Sequence, residues 1–585
     1  MAVTGLRPAP TRTVLLGARA AASCPVKTAH DFDPTAKTPV TDAEAAPLPG
    51  PALQARAAEA RLLEALVSTA PGLVVDLRLL AEDPTDSTAA CVQAMTVGAA
   101  VIVGGTLPVD EAGHRVGRPD VLLRGADSPT GRPTYHPVAV VGHKVLLSPR
   151  PPTEGDPPTP PSLHGTPLSA PGPAGRRPLA GLAFRLRSRE ADLLRLAHHH
   201  RMLEAAGFAA AEPLAAVLGT DIVPQGPVLV WVDLAAPRVR TYSRRSPEGW
   251  RLRSELERYD HEQQLRVRVA EAARQRTGGP QDPTPLVVPV VQDECARCRW
   301  WQRCRPQLGD DDVSLRIDKG ALDVREVLAL RRLGRGTVDA LADADLDQLL
   351  PAYLPLTGHR GGAESRLRVA ARRARMLRDA VAFDRETSGP IEVPGAQLEV
   401  DLDIESSAEG RVYLWGFLVS DTTSAAPPSY HPFGAFGDLD EAAETALAGR
   451  AFGWLRALAE QASSLRVYHY SSYEPFTVRA LAERTGDDRL TWAAGCVEEH
   501  FVDLYDVVRT HYFGVNGLGL KPIAQHAGFR WRDDDPGGLN SQRWFADAVH
   551  ALDPEVRESA RRRVLEYNED DVLATWTLRA WLRSR

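Results

Sequence analysis

The stretch "RVLEYNEDDVLATWTLRAWL", residues 563–582, decides how the last third of the chain is read. Its apolar residues, Leu565, Val572, Ala574 and Trp576 among them, predict one helix. Yet Tyr567, Asn568, Glu569, Asp570 and Asp571 crowd its middle. At 3.6 residues per turn Tyr567 and Asp571 share a face. Apolar residues on both sides put these acids mid-helix, away from the N-terminal turn where the helix dipole would favour them. Asp571 therefore calls for carboxylate or cation partners elsewhere.

Candidate partners lie upstream. In "AQLEVDLDIES", residues 397–407, Asp403 and Glu405 stand two apart on a predicted strand and point to one face. Val400, Leu402 and Ile404 take the other face. Two acids on one side of a buried strand are costly unless a cation neutralises them. Glu474 follows Tyr473 where the predicted strand 465–473 passes into a helix, and Asp503 lies in another such element. Carboxylates converging on hard cations are the arrangement of metal-dependent phosphoryl-transfer enzymes.

Around these motifs the chain is organised as follows. It has 585 residues, too many for one hydrophobic core. Residues 1–305 read as one α/β domain, with strands at 99–108, 120–124, 136–147 and 227–234 and helices at 187–210 and 251–276. Residues 148–178, rich in Pro and Gly, read as a flexible insertion. Residues 306–384 read as a helical linker, and "LRRLGRGTVDAL" (330–341) offers a helix-hairpin-helix-like turn. Residues 385–585 read as a second α/β domain, strands first and helices last. That last third carries 20 Lys and Arg against 32 Asp and Glu, whereas residues 1–384 carry 49 against 44. The acidic part is a poor passive binder of polyanions and needs cations to meet nucleic acid. There is no apolar run of membrane-spanning length and no signal-peptide pattern, so a cytoplasmic protein with no membrane partner is expected.

Six cysteines are present, and Cys295, Cys298 and Cys304 fall within ten residues. In a cytosolic chain this predicts metal ligation, not disulfides. Zinc takes four thiolates, or three and a His, a [4Fe–4S] cluster also takes four cysteines, and the spacing does not choose between them. Cys91 and Cys496 read as buried apolar residues.

The motifs "DIE" (403–405), "YHYSSYE" (468–474) and "YNEDD" (567–571) resemble the three exonuclease motifs of the DEDD superfamily on a ribonuclease H-like fold. The Tyr-x-x-x-Asp spacing resembles the DEDDy branch, and the match is closest to the YprB-type domain. The resemblance implies that Asp403, Glu405, Glu474 and Asp571 bind two Mg²⁺ or Mn²⁺ ions and that Tyr567 orients the attacking water. Asn568, Glu569 and Asp570 are then expected to face solvent or to flank the site. The second motif of that family usually ends in Asp where this chain has Glu474, which leaves Asp503 as the alternative third acid.

"SCPVKTAHDFDPTA" (23–36) and "CARCRWWQRC" (295–304) resemble the split cysteine frame of Cas4/AddB-type iron–sulfur nucleases. The resemblance implies that Cys24 joins Cys295, Cys298 and Cys304 around a [4Fe–4S] cluster, with Trp300 and Trp301 shielding it. That family also carries a PD-(D/E)xK site. Asp120 matches its first Asp, and Glu59 is a further candidate acid. The acid and lysine expected on the next strand are replaced by Ala139-Val140-Val141, with Lys144 on the opposite face from Val141. Arg195 and His199 stand where a Gln and a Tyr are expected. The first site therefore reads as degenerate. The whole layout resembles a RecB-like nuclease family of Thermotoga type.

These readings imply a metal-dependent 3′→5′ exonuclease acting on single-stranded DNA or RNA through the C-terminal domain, in DNA repair or related processing. The cluster domain would bind and guide the strand. The competing reading is a non-catalytic iron–sulfur scaffold that binds nucleic acid. A helicase partner follows from the resemblance, although no Walker P-loop occurs in the chain.

Overall fold

A computed structural model describes residues 13–37, 50–69, 71–80, 84–147, 163–179, 185–186, 190–223, 226–320, 322–407, 410–437, 439–533 and 538–585. Two units emerge, one drawn mainly from residues up to Ala371 and one mainly from Arg372–Arg585.

The first unit is built on an eight-stranded mixed sheet. Its strands are β1 (Val74–Asp76), β2 (Val101–Val103), β3 (Val121–Arg124), β4 (Tyr135–Val140), β5 (His164–Pro167), β6 (Arg177–Pro178), β7 (Leu214–Val223) and β8 (Gly226–Asp233). Their order across the sheet is β1-β2-β3-β4-β7-β8-β5-β6. β2, β3 and β4 run antiparallel, and β4 pairs parallel with β7. The helix Glu190–Ala205 lies between these last two in sequence. The central strands are apolar on both faces, as strands covered on two sides must be. Val138 and Val140 join a core with Leu66 and Leu218, while Ala139 and Val141 face Leu193, Leu196 and Tyr259.

Two expectations need correction here. Within 148–178, residues 148–162 lie outside the described residues, but 164–167 and 177–178 form strands at the sheet's edge. Proline is tolerated on an edge strand, where a missing N–H breaks no ladder. Thr166 is buried there and accepts from Trp231 Nε1 at 2.9 Å. The helix expected from 251 starts only at Glu255, because Ser254 and Glu257 close a capping box. Trp250–Arg253 instead pairs as a strand with Val239–Tyr242.

Helices Val324–Arg332 and Val338–Ala342 flank the Gly-x-Gly turn. The N–H groups that open the second of these helices are engaged within the fold. Val338 N–H donates to Asp311 O, Asp339 N–H to Asp311 Oδ2 and Ala340 N–H to Thr337 Oγ1.

The second unit is a five-stranded sheet of β9 (Leu398–Ser406), β10 (Val412–Asp421), β11 (Ser429–Gly434), β12 (Leu465–His469) and β13 (Phe501–Asp503), in the order β11-β10-β9-β12-β13. The first three are antiparallel, and β9, β12 and β13 are parallel. One face of β9 carries Val400, Leu402 and Ile404 into a core with Ala448, Phe452 and Leu455 of helix α1 (Glu441–Ala459). The other face carries Glu399, Asp401, Asp403 and Glu405, by the alternation of the strand. Helix α2 (Tyr473–Thr485) follows β12, and α3 (Leu504–His511) follows β13. After α4 (Leu520–His526) and α5 (Gly538–His550), the long helix α6 (Pro554–Arg583) packs across the acidic face of β9. Among the described residues no helix is long and apolar enough to cross a membrane.

Candidate metal centre

Four acids at period two on one strand face need four answers, and α6 supplies them unequally. Arg579 pairs with Glu399 and with Asp401, at 2.8 Å to the latter, and Arg583 reaches Glu399 at 2.7 Å. These two arginines lie one turn apart and neutralise the first two acids. Farther along, α6 offers no cation to the other two. Asn568 Nδ2 donates to Asp403 Oδ2 at 2.8 Å. Ser541 Oγ donates to Glu405 Oε2 at 2.5 Å and is itself held by the Tyr413 hydroxyl at 2.7 Å. Asp571 adds a third carboxylate, which accepts from Trp531 Nε1 at 2.7 Å.

Ligand atoms of Asp403, Glu405 and Asp571 all lie within 4.8 Å of one another. Among the described residues no other group of three acids, histidines or cysteines does so. Burial, reinforced by the neighbouring carboxylates, raises all three pKa values. Asp403 stands well above the usual carboxylate range, Glu405 is pushed up to about 8 and Asp571 to about 6. Such a cluster binds either protons or a cation. The donor set is all oxygen, with Glu405 and Asp571 buried and Asp403 half-buried, which suits a hard divalent ion.

Glu474 sits in the first turn of α2, 5 % exposed, and its Oε2 has no hydrogen-bond partner. Burial, with Asp503 nearby, raises it to about 8. Its charge contributes to the raised pKa of Asp403, although it stands outside the three-carboxylate group. Asp503 caps α3 and accepts from Tyr505 N–H at 2.8 Å. The same oxygen accepts from Ser471 N–H at 3.0 Å. Ser471 has φ +92°, a strained value for a residue with a Cβ. Asp503 thus holds the turn that delivers Glu474.

Tyr567 is buried and hydrogen-bonded to Asp571, as their one-turn spacing predicts. Its hydroxyl also accepts from Lys521 Nζ at 2.7 Å. The charge of Lys521 lowers the pKa of Asp403, Glu405 and Asp571. Lys521 went unremarked in the sequence, although it is the sole lysine in residues 385–585. Asn568 and Asp570 were expected to face solvent or flank the site. Asn568 is instead fully buried and bonded to Asp403, because a position three before Asp571 shares its helix face. Asp570 is buried too, accepting from Arg532 N–H at 2.8 Å, and Glu569 pairs with the Arg532 side chain. Gly416 lies opposite Asp403 on β10, and a Cβ there would fall 1.7 Å from Asn568 Oδ1.

In the first unit, Cys24, Cys295, Cys298 and Cys304 line one cavity with Trp300 and Trp301. Burial pushes the Cys304 thiol up to about 12, and the other three cysteines reinforce the shift. Cys24 N–H donates to Glu294 at 2.6 Å, which ties the two ends of the frame together. Cys91 and Cys496 are buried in apolar cores.

Asp120 accepts from Val140 N–H at 2.8 Å and pairs with Arg195 at 3.1 Å. Glu59 accepts from Gly142 N–H at 3.3 Å. Both acids therefore meet the segment where the acid and lysine are missing, and Arg195 neutralises the first. The histidines 198–200 are all buried. His198 bonds to Val116 O and Tyr259, and His200 pairs with Glu204. They do not converge.

Residues 400–583 match the family model RNase_H_2, of the RNase_H superfamily. The C-terminal domain is thus ribonuclease H-like, and it carries an acidic triad suited to the divalent metals such nucleases use. No curated protein and no solved structure matches the chain.

Proposed function

We propose that the protein is a divalent-metal-dependent 3′→5′ exonuclease of the DEDDy type, acting on single-stranded nucleic acid through residues 385–585. The observation that carries this reading is the cluster of three carboxylates beside Tyr567, two buried and one half-buried, left without an arginine on a strand face whose other acids have two. Asp403, Glu405 and Asp571 would hold the metal, with Glu474 completing a second position. A divalent cation there supplies Lewis acidity toward a phosphate ester and charge stabilisation on the leaving oxygen. Tyr567, fixed between Asp571 and Lys521, orients the attacking water. Asn568 and Ser541 hold Asp403 and Glu405 in place, and Trp531 shields and positions Asp571. The water oxygen attacks the terminal phosphorus, the bond to the 3′ oxygen of the preceding nucleotide breaks, and that oxygen takes up a proton.

The first unit is assigned a binding role. The Asp120–Arg195 pair supports a spent nuclease site there. Tetrahedral zinc at about 2.3 Å from each sulfur would need thiolates about 3.8 Å apart. Four cysteines lining one cavity, shielded by Trp300 and Trp301, support a four-thiolate group there, read by the resemblance as [4Fe–4S] with zinc as the alternative.

The test is degradation of 5′-labelled single-stranded DNA and RNA with Mn²⁺ by wild type and Asp571→Asn. A ladder shortening from the 3′ end in wild type alone is expected, and it names the substrate. Cleavage surviving Asp571→Asn moves catalysis to the first unit. Binding without cleavage by either protein favours the scaffold.

A further inference from the structure

Helix α2 begins with the buried Glu474 and turns a different face outward. Pro475, Val478 and Leu481 are buried on its inner side. On its outer side Tyr473 is 45 % exposed and Phe476 is 65 % exposed. At i, i+3 spacing the two rings are neighbours on the helix surface. Arg479 stands one further turn along and pairs with the exposed Glu498. A lone exposed apolar side chain needs no explanation. Two aromatic rings in succession beside a buried carboxylate centre do.

The platform is joined to that centre by two links. The Tyr473 hydroxyl and Ser406 Oγ are 2.7 Å apart, and Ser406 directly follows Glu405. Tyr473 also directly precedes Glu474. Tyr473 is thus tied on both sides to residues that adjoin the carboxylates, Ser406 beside Glu405 and Glu474 next in the chain.

We propose that Tyr473 and Phe476 form a stacking subsite for an unpaired nucleobase, with Arg479 as the adjoining phosphate contact. This rests on the nuclease reading of the carboxylate centre. The chemistry suits the acidic domain, because stacking on an aromatic face needs no attraction between net charges. It also selects single strands, since a base in a duplex already has its faces covered. The Arg479–Glu498 pair is a surface pair of small worth, so the guanidinium is free to exchange partners.

The experiment uses the full-length protein and a 5′-fluorescent ten-nucleotide DNA, with abasic versions at each of the last four positions. Affinity is read by anisotropy in Ca²⁺, and hydrolysis is followed separately in Mn²⁺. Phe476→Ala and Tyr473→Ala should each weaken binding about tenfold, the order expected from losing one base–aromatic stack. Phe476→Trp should bind as wild type. One abasic position should weaken wild type equally and show no further loss with Phe476→Ala. Wild-type affinity in Phe476→Ala overturns the subsite, and continued hydrolysis would then leave the nuclease reading standing. Absence of hydrolysis by wild type, with binding still sensitive to Phe476→Ala, sinks the nuclease reading and retains the subsite.

Discussion

Asp401 and Asp403 stand two residues apart on one face of β9, and Arg579 answers the first while Asn568 answers the second. The same helix delivers both partners. An amide can orient a carboxylate but cannot cancel its charge, so the strand changes at this point from a closed ion-pair network to carboxylates that no arginine balances, the feature on which the proposed cation site rests.

The two halves of that face should respond oppositely to mutation. Arg579→Ala leaves buried Asp401 and Glu399 with too little counter-charge and should cost about 3–5 kcal/mol in denaturant unfolding. Asp403→Asn removes a half-buried acid that faces two other carboxylates and has no arginine partner, so metal-free stability should hold or rise. Titration calorimetry should show Mn²⁺ binding lost in Asp403→Asn. Equal destabilisation by both changes would contradict the division.

Metal removal should make stability fall as pH rises. Glu405 and Glu474 sit near 8 and Asp571 near 6 in the metal-free fold, against about 4 for ordinary carboxylates. The folded state therefore holds protons that the unfolded chain has released. Its stability is full below about pH 4 and declines toward pH 8. Melting in EDTA should drop across this window, and Mn²⁺ should flatten the curve and release protons on binding. A flat curve in EDTA would argue against the buried cluster.

Lys521 both competes with the cation and holds Tyr567. Lys521→Met should therefore tighten Mn²⁺ binding at pH 8. It should also lower kcat about tenfold to a hundredfold, a modest share of what a positioned proton-handling group contributes. A parallel loss of affinity and rate would mean instead that the lysine merely supports the fold.

Gly416→Ala should disturb the site from the neighbouring strand. The added methyl falls on Asn568 Oδ1 and must push Asn568 off Asp403. Overpacking of this kind costs about 1–3 kcal/mol. Denaturant unfolding and Mn²⁺ affinity should both weaken, whereas Gly495→Ala, with nothing within 4 Å, should leave Mn²⁺ affinity unchanged.

Anaerobically purified protein should contain about four irons per chain if the cysteine cavity holds [4Fe–4S]. About one zinc per chain would overturn that assignment. Cys304→Ala should abolish the iron content and the visible absorption that accompanies it.

Period-two alternation made β9 legible in the sequence, and helical spacing made the Tyr567–Asp571 pair so. The motif order then led to Glu474. Asn568 obeyed the same helical arithmetic but was passed over, because a polar residue among acids looked like a solvated face. Lys521, Trp531 and Ser541 come from separate helices and loops whose approach depends on tertiary packing, and no local period announces them. In the first unit the strand 164–167, second from the sheet's edge, was hidden by the Pro- and Gly-rich stretch around it, since composition records the residues and not the pairing partner.

The four-acid stripe also bears on how β9 finds its alignment. Acids and apolar residues both repeat every two positions from 398 to 405, so sliding the strand by two would keep every side chain on its proper face. Hydrophobic burial alone is blind to that error. What distinguishes the correct alignment is the ladder of partners on α6 and the absence of a side chain at Gly416, which admits Asn568 only opposite Asp403. The polar groups of the site therefore act as a vernier for the sheet: the contacts that prepare it for a cation also single out one folded arrangement from its near twins.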